Sequence, residues 1–233
     1  MRAADIPMVR ELDLFADMAE DNFEALMQAS YLQRFPPQVE LIREGDLADF
    51  LHIVVDGNVE LFASTSVGRE TSIEIVGPVS TFILAAVLRD AVYLMSARTA
   101  ENCHILMVPA ESVRTAFAQD NVFARAVVRE LSGRYRAVVK SLKNHKLRGS
   151  VERLANYLLA VHERDGSKGA VNLSIDKRTL AALLGMTPEN LSRAFATLRS
   201  RGVEVEGRTI HLRRIDDLRA LAQPNPLIDD PMT

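Results

Sequence analysis

An apolar residue recurs at every third or fourth position between Asn121 and Leu147, and this pattern constrains the fold more than any other feature of the chain. The recurring residues are Ala124, Val128, Leu131, Tyr135, Val138 and Leu142. Their alternating steps of four and three form a heptad stripe, which is typical of a long helix that pairs with a second one. We therefore predict that residues 119–147 form the dimerisation helix of a parallel homodimer. Gly133 argues against a perfect coiled coil, and an amphipathic helix that packs on its own domain is the alternative.

Upstream of this helix, the chain has the pattern of a β-rich domain. Residues 9–29 carry apolar positions at helical spacing and predict one or two short helices. From Tyr31 onward, short runs of β-branched residues alternate with turn-forming sequences such as REGD, DGN and SVGRE. A short helix follows near residues 109–118. The near-regular strands predict an antiparallel β-roll, and we assign residues 1–118 to a sensory domain of this kind.

Downstream of the long helix, the pattern changes to short helices and a hairpin. A capping residue at Asp176, a break at Gly185 and a second cap at Thr187, before a proline, predict a helix, a short turn and another helix. The sequence VEVEGRTIHL then predicts a hairpin. Together they make a winged helix-turn-helix, to which we assign residues 148–223, and the proline-rich residues 224–233 predict a loose tail. The predicted fold class is thus α+β.

The helix with the sequence PENLSRAFATLR has two distinct faces. Its apolar stripe, which we expect to be buried, consists of Leu191, Phe195 and Leu198. Glu189, Ser192 and Arg193 form a polar cluster on the other side. The second helix of a helix-turn-helix enters the major groove of DNA, where arginine can bind guanine, glutamate can accept from a base amino group and serine can do either. We predict that these three residues read bases; an ion pair on a solvent-facing helix is the alternative.

The distribution of charge favours double-stranded DNA as the partner of this domain. Residues 1–132 have a formal net charge of −10, whereas residues 133–219 have one of +9. A basic half suits a polyanion, although a solvated basic face without a partner is the alternative. The residues that we expect to contact the DNA backbone are Lys177, Arg178, Thr187, Asn190, Arg199, Arg201 and Arg208.

Several other classes of protein are disfavoured. The chain has no apolar run long enough for a membrane span and no apolar core of a signal peptide at its start, so we expect a cytoplasmic protein without a membrane partner. Its single cysteine, Cys103, cannot build a disulfide framework or ligate an iron–sulfur cluster within one chain. The sequence contains none of the GxSxG, P-loop, HExxH or dinucleotide fingerprints, and we predict that the protein is not an enzyme.

The order of β-roll, long helix and winged helix-turn-helix resembles the CRP/FNR family of bacterial transcription regulators over nearly the whole chain. Gly45 and Gly57 match the paired glycines of that family's roll, and HKLRGSVERLANYLL resembles its hinge and the following helix. The sequence PENLSR resembles the Glu-x-x-Ser-Arg motif of the FNR-like, DNR-like and NnrR-like branch. This resemblance implies inverted repeats of the TTGAT…ATCAA kind as binding sites, and RNA polymerase as a further partner.

The effector is less constrained than the DNA site. Cyclic-nucleotide binders of the family have a Gly-Glu and an Arg-Ser pair in the roll, but this chain has Thr81-Phe82 and Ala91-Val92 at those places. The apolar sequence FILAAVLRDAVYLM resembles the DNR and NnrR regulators, which implies nitric oxide as effector and haem as a candidate cofactor. The residues that we assign to the effector pocket are Phe82, Ile83, Tyr93 and Met95. No pair of histidines has the spacing of metal ligands, so the sequence does not assign a metal ligand. Three alternatives to nitric oxide sensing also remain: a regulator that acts without an effector (FixK-like), a regulator that responds to a cyclic nucleotide, and a module that acts on a protein partner.

Overall fold

The computed structural model describes residues 5–166, 169–173 and 175–230. The chain divides into two compact units, Met1–Arg134 and Tyr135–Thr233, and each has a hydrophobic core of its own. None of the helices in the described ranges is long and apolar enough to cross a membrane.

The first unit is a β-roll preceded by two short helices, α1 (Ile6–Arg10) and α2 (Glu20–Gln28). Its strands are β1 (Tyr31–Phe35), β2 (Glu40–Ile42), β3 (Phe50–Asp56), β4 (Val59–Ser64), β5 (Glu70–Val76), β6 (Ser80–Phe82), β7 (Ser96–Thr99) and β8 (Cys103–Pro109). They form two four-stranded sheets, ordered β1-β8-β3-β6 and β2-β7-β4-β5, in which every neighbouring pair is antiparallel. The predicted antiparallel roll is therefore confirmed.

One of the two glycines that mark the roll has a clear steric reason. Gly57 joins β3 to β4 with a φ of +82°, a conformation that favours glycine. A Cβ atom at this position would also meet the backbone oxygen of Asn102 and the sulfur of Cys103. Gly45 has a φ of +90° without any such close neighbour. The two chain reversals thus depend on glycine for its backbone freedom, and the one at Gly57 also depends on its lack of a side chain.

The apolar sequence FILAAVL does not form one element. Its first residue, Phe82, ends β6, and its last five belong to α3 (Leu84–Arg89). Between them Ile83 has a φ of +58°, so the chain changes direction at a β-branched residue. Apolar content alone did not distinguish a strand from a helix here, because both bury such side chains.

The last part of the first unit contains α4 (Ala110–Gln119) and the start of α5 (Asn121–Leu147). Asp120 caps α5, because its carboxylate accepts hydrogen bonds from the backbone N–H groups of Val122 and Phe123, both at 2.9 Å. The predicted segment 119–147 contains the whole of α5, and the helix begins two residues later than its predicted start, because Gln119 ends α4 and Asp120 is the cap. The division between the units nevertheless falls inside α5, at Arg134, whereas the sequence predicts a separate dimerisation segment.

That division has a physical reason in the burial of the helix. Phe123, Ala126 and Val127 are buried in the core of the roll. Beyond them the stripe is open, since Val128, Tyr135, Val138 and Leu142 are exposed by 56%, 72%, 63% and 57%, while Ala124 and Leu131 are partly buried. The first turns of α5 therefore belong to the roll, and the rest of its apolar stripe has no cover within the described chain.

The second unit has the predicted winged helix-turn-helix order. Its elements after α5 are α6 (Ser150–Arg164), β9 (Ala170–Asn172), α7 (Lys177–Leu183), α8 (Pro188–Arg199), β10 (Val203–Glu206), β11 (Thr209–Leu212), α9 (Ile215–Ala222) and α10 (Pro226–Asp229). The strands form a three-stranded antiparallel sheet, ordered β10-β11-β9. The buried faces of α6, α7, α8 and α9 share one core, which fixes the two helices of the helix-turn-helix.

The C-terminal residues differ from the sequence prediction. Residues 224–233 are predicted as a loose tail, but α10 forms within them and contacts α5, and residues 231–233 lie outside the described chain. Proline content suggested a loose segment, yet Pro226 occupies the first position of a helix, where the missing N–H group costs nothing. The prediction of a loose tail was therefore wrong for the residues of α10.

Candidate DNA-reading surface and effector site

The two helices of the helix-turn-helix begin at side-chain caps. The Asp176 carboxylate accepts from the Thr179 N–H at 2.8 Å, and the Thr187 hydroxyl accepts from the Asn190 N–H at 3.3 Å. Gly185, between the helices, has a φ of +59°. These local signals position the first turn of α8, which is the part of such a helix that approaches base edges.

The two faces of α8 are separated as the sequence predicts. The buried residues of this helix are Leu191, Ala194, Phe195 and Leu198. Glu189, Ser192 and Arg193 are exposed on the opposite face. The Ser192 hydroxyl donates to the Pro188 carbonyl at 3.0 Å, so its oxygen can still accept a further bond. Within the described chain, no hydrogen bond or ion pair holds the Arg193 guanidinium, which leaves its donors to an external partner.

The residues predicted to contact the DNA backbone lie at several places around α8. Lys177 and Arg178 begin α7, Arg199 ends α8 and Arg208 lies between the two strands of the hairpin, all with exposed side chains. Arg199 lies ten positions after Glu189, or about 15 Å along the helix axis. Arg199 is thus far from the first turn of the helix, where bases are read, and its position suits a phosphate contact.

The remaining members of that set are also at the ends of α8. Arg201 follows the helix and is exposed, whereas Asn190 is partly buried. The Thr187 oxygen accepts the capping bond, and its hydroxyl hydrogen remains available to an acceptor. No residue of the set is buried, so each can reach solvent.

Two residues that support the turn were not assigned to the site from the sequence. Arg153 on α6 is only 9% exposed, and its guanidinium donates to the carbonyls of Leu184 at 2.7 Å, Arg148 at 2.6 Å and Gly185 at 3.3 Å. Burial lowers the pKa of Arg153. The sequence signal was an arginine among the apolar residues of VERLANYLL. A buried cation in such a place must find acceptors, and here they are backbone carbonyls of the turn and the hinge.

The other supporting residue is His145, near the end of α5. Its Nδ1 lies 2.8 Å from the Ser141 carbonyl oxygen. A Cβ atom built on Gly185 would be 2.5 Å from the ring, so the ring lies directly against the turn. The side chain is exposed and also packs on the helix-turn-helix.

The four residues predicted to line the effector pocket lie in the hydrophobic core of the roll. Phe82 is buried and stacks on His52 with ring centroids 5.2 Å apart. Tyr93 is also buried, and its hydroxyl donates to the Phe50 carbonyl at 3.1 Å. Ile83 and Met95 are partly buried and pack against the same core. Their burial indicates a packing role, which apolar character alone could not separate from pocket lining.

The roll does contain a cavity, of about 620 Å³, at a different place. The segment 11–17, β6 and α5 contribute most of its lining, and none of the four predicted residues is among the residues that line it. Its charged side chains are Glu11, Asp13, Asp17, Arg129 and Glu130. Carboxylates thus outnumber cations around the cavity, which disfavours an anionic ligand.

A closed polar network lies beside this cavity. The Arg134 guanidinium donates to the Thr81 carbonyl at 2.6 Å, to Glu74 at 2.9 Å and to Glu130 at 3.3 Å. The Thr81 hydroxyl donates to the Glu130 carboxylate at 2.8 Å. These bonds connect β5 and β6 to α5.

The residues around the cavity do not fit haem. Protein ligands to haem iron are histidine, cysteine, methionine or tyrosine, and none of these occurs in the lining of the cavity in the described chain. The buried His52 lies between Phe50 and Phe82, and its burial lowers its pKa to about 4 although a backbone hydrogen bond opposes this shift. The described residues also include no group of three or more potential metal ligands.

Two parts of the chain match known families. Residues 32–120 match the model of the cyclic nucleotide-binding domain, and residues 152–221 match that of the Crp-like helix-turn-helix domain. A CRP-like cAMP-activated global transcriptional regulator from Mycobacterium tuberculosis is 25% identical over 181 residues, which cover 76% of this chain and 81% of that protein. The nitrogen fixation regulation protein FixK from Rhizobium meliloti is 26% identical over 193 residues, covering 80% and 85%. The structure of FixK2 from Bradyrhizobium japonicum has a TM-score of 0.72 at 23% identity and covers 84% of this chain and 98% of that one.

Proposed function

Because the chain belongs to the CRP/FNR family of transcription regulators, we propose that it binds inverted repeats of the TTGAT…ATCAA type as a homodimer. One observation carries the proposal. Glu189, Ser192 and Arg193 are exposed together on the face of α8 opposite its buried stripe, and no described residue bonds the Arg193 guanidinium.

The chemistry of these side chains suits direct reading of base edges. An arginine can donate two hydrogen bonds to O6 and N7 of guanine, and a glutamate can accept from the amino group of cytosine. The Asp176 cap orders the start of α7 and the Thr187 cap orders the start of α8, so DNA binding has to create little further order in these two helices. The Glu-x-x-Ser-Arg motif supports the TTGAT type of half-site through its resemblance to FNR-like and DNR-like regulators.

An inverted repeat requires two copies of α8 related by a two-fold axis. The uncovered stripe of α5, with Tyr135, Val138 and Leu142 exposed, supports a second copy of the chain as its cover. RNA polymerase is a further proposed partner, and this part of the proposal depends on the resemblance to the family.

The test is a titration of the full-length protein with a duplex containing TTGAT…ATCAA and with a scrambled duplex of the same composition. Arg193→Ala should weaken binding to the repeat by about 1–3 kcal/mol for each half-site and relax the preference at the guanine. A duplex in which only that guanine is replaced is the matched control, because the variant should lose little further affinity on it. An equal loss on every duplex would contradict base reading and assign Arg193 to a phosphate.

For the roll, effector-independent action is the second candidate function, and the Arg134 network favours it. The bonds from Arg134 to Thr81, Glu74 and Glu130 connect the strands of the roll to α5 through protein groups alone. Nitric oxide sensing through haem finds no axial ligand in the cavity, and a cyclic nucleotide finds more carboxylates than cations there. The relatives include both a cAMP-activated regulator and FixK.

Two measurements distinguish these alternatives. A Soret band after reconstitution with haem, together with a spectral response to nitric oxide, would support haem-based sensing. Heat on titration with cyclic AMP, accompanied by tighter binding to the repeat, would support a nucleotide effector. Effector-independent action instead predicts full affinity for the repeat in the protein as purified and no change with either addition.

A further inference from the structure

The C-terminal turn, residues 225–230, is organised by its own side chains. The Asn225 side chain accepts from the Leu227 N–H at 2.9 Å, and the Asp229 carboxylate accepts from the Asn225 N–H at 2.7 Å. With Pro226 at the first helical position, these bonds hold a single turn of helix. The turn therefore presents the Asp229 carboxylate in a defined direction.

Three cations at the end of α5 and in the hinge hold the C-terminal turn. Lys140 donates to the Asp230 carbonyl at 2.6 Å, and Lys143 donates to the Leu227 carbonyl at 3.3 Å. Arg148 binds both carboxylate oxygens of Asp229, with Nη1 at 2.7 Å from Oδ1. Lysines at the carbonyl end of a helix are favourable for its dipole, and a two-bond arginine–carboxylate pair is geometrically specific.

The pair between Arg148 and Asp229 is more shielded than an ordinary surface pair. The two side chains are exposed by only 8% and 24%. Burial acts to raise the pKa of Asp229, but the hydrogen bonds from Arg148 and from the Asn225 backbone outweigh it, and the pKa is lowered. Removing one partner would leave a charge in a poorly solvated place, so the pair restrains the hinge at Arg148.

The same arginine is connected to the recognition helix. The Arg148 backbone carbonyl accepts from the Arg153 guanidinium at 2.6 Å, and that guanidinium also donates to the carbonyls of Leu184 and Gly185 in the turn before α8. His145, one turn of α5 before Arg148, packs against Gly185. A continuous chain of contacts thus runs from Asp229 through Arg148 and Arg153 to the start of α8.

We propose that Asp229 is a positioning residue for DNA reading: it fixes Arg148, and through Arg153 it fixes the turn that orients Glu189, Ser192 and Arg193. The C-terminal turn is then part of the DNA-reading apparatus, although it has no base-reading residue. This inference rests on the proposed function, because reading is measured as preference for the inverted repeat.

The first test compares Asp229→Asn with Glu163→Gln in the full-length protein. Both changes remove one negative charge without removing bulk, but Glu163 forms an exposed pair with Arg219 away from the hinge. Asp229→Asn should lower the preference for the repeat over the scrambled duplex roughly tenfold, as expected for a coupling carried by a side-chain network. Glu163→Gln should leave that preference within about twofold of the wild type. An unchanged preference in Asp229→Asn would overturn the proposal.

A charge exchange separates positioning from general damage to the fold. Arg148→Glu alone should lower the preference, and the double variant Arg148→Glu with Asp229→Arg should recover most of it, because the pair is restored with its charges reversed. A double variant no better than the weaker single one would count against the pair as the positioning device.

Hydrogen exchange tests the same chain of contacts without DNA. In Asp229→Asn, amides of the hinge 144–149 and of the turn 184–187 should exchange faster than in the wild type. Faster exchange confined to residues 225–230 would overturn the proposal. If the wild-type protein itself fails to prefer the repeat, the proposed function fails, and the exchange experiment still decides whether Asp229 restrains the turn.

Discussion

The recognition helix and the roll differ in how they satisfy their polar side chains. On α8, Arg193 is exposed and its guanidinium is held by no other described residue, which leaves it available to a base. In the roll, Arg134 is shared among Glu74, Glu130 and the Thr81 carbonyl, so its donors are used within the protein. Polar side chains that are exposed and unbonded on a rigid helix indicate an external binding partner. Polar side chains that are bonded to one another indicate that their hydrogen-bonding partners lie within the protein. The difference argues for a molecule whose DNA site is defined more sharply than its effector site.

The largest expected effect concerns the second exposed surface without a partner in the described chain, which is the apolar stripe of α5. Leu142→Glu places a charge on the 57% exposed stripe and should give a monomer by light scattering. Affinity for the full inverted repeat should fall on the order of 100-fold or more, because two linked half-site contacts become independent. Ala137→Glu, off the stripe on the same helix, is the control and should remain a dimer. A dimeric Leu142→Glu protein would show that this open face has another purpose.

The next effect tests whether the two regions are energetically separate. Leu198 is fully buried beneath the reading face of α8, and Leu198→Ala should lower the free energy of unfolding of the second unit by about 2–5 kcal/mol. Leu106→Ala, at a fully buried position of the roll, should instead affect the first unit. Calorimetry with both variants should therefore shift two different transitions. A common shift of a single transition would mean that the units unfold together.

A pH-dependent effect is expected for the roll. Burial holds the pKa of His52 at about 4, well below its usual 6.5, so the folded roll keeps this ring neutral. Because the unfolded chain binds a proton at this histidine more readily than the folded chain, the free energy of unfolding falls as the pH drops from 6.5 towards 4. The loss should reach up to about 3 kcal/mol, and no such loss is expected above pH 6.5. His52→Phe keeps the ring stacked on Phe82 and should remove this part of the pH dependence in denaturant titrations. A wild-type slope between pH 6.5 and 4 in the variant would assign the effect to other groups.

The smallest expected effect distinguishes residues of α8 that contact DNA phosphates from residues of α8 that contact bases. Arg199→Ala should weaken binding to the repeat and to scrambled DNA alike, and the dependence of log affinity on log salt should become shallower by about 1 for each half-site. Arg193→Ala, by contrast, should change the preference between duplexes. If Arg199→Ala altered that preference, the reading surface would extend to the end of the helix.

The same contrast explains what could be predicted from sequence. The caps at Asp176 and Thr187, the buried stripe of α8 and the bounds of α5 are local patterns, and the structure has them where the sequence predicts them. The cavity depends on residues from the segment 11–17, β6 and α5, which are distant in sequence, and no local pattern marks such a set. Phe82 and Tyr93 were assigned to a pocket because they are apolar, but core residues are apolar as well.

Hydrogen bonds between residues far apart in the chain were the other feature of the structure that could not be predicted from the sequence. Thr81 and Glu130 are 49 residues apart, and Arg148 and Asp229 are 81 apart. Polar residues at such separations have no periodicity to mark them, and each alone is typical of a solvated surface. Arg153 is the partial exception, since an arginine within an apolar helix face predicts that acceptors lie nearby.

The contact between His145 and Gly185 has a consequence for how this protein can vary. Any larger residue at position 185 must adopt a left-handed backbone and must displace the imidazole ring as well. The two positions should therefore change together over evolutionary time, with a small residue at 145 wherever 185 carries a side chain. An alignment of near relatives should show this covariation between the hinge and the turn, and a single substitution at either position should be rarer than the paired one.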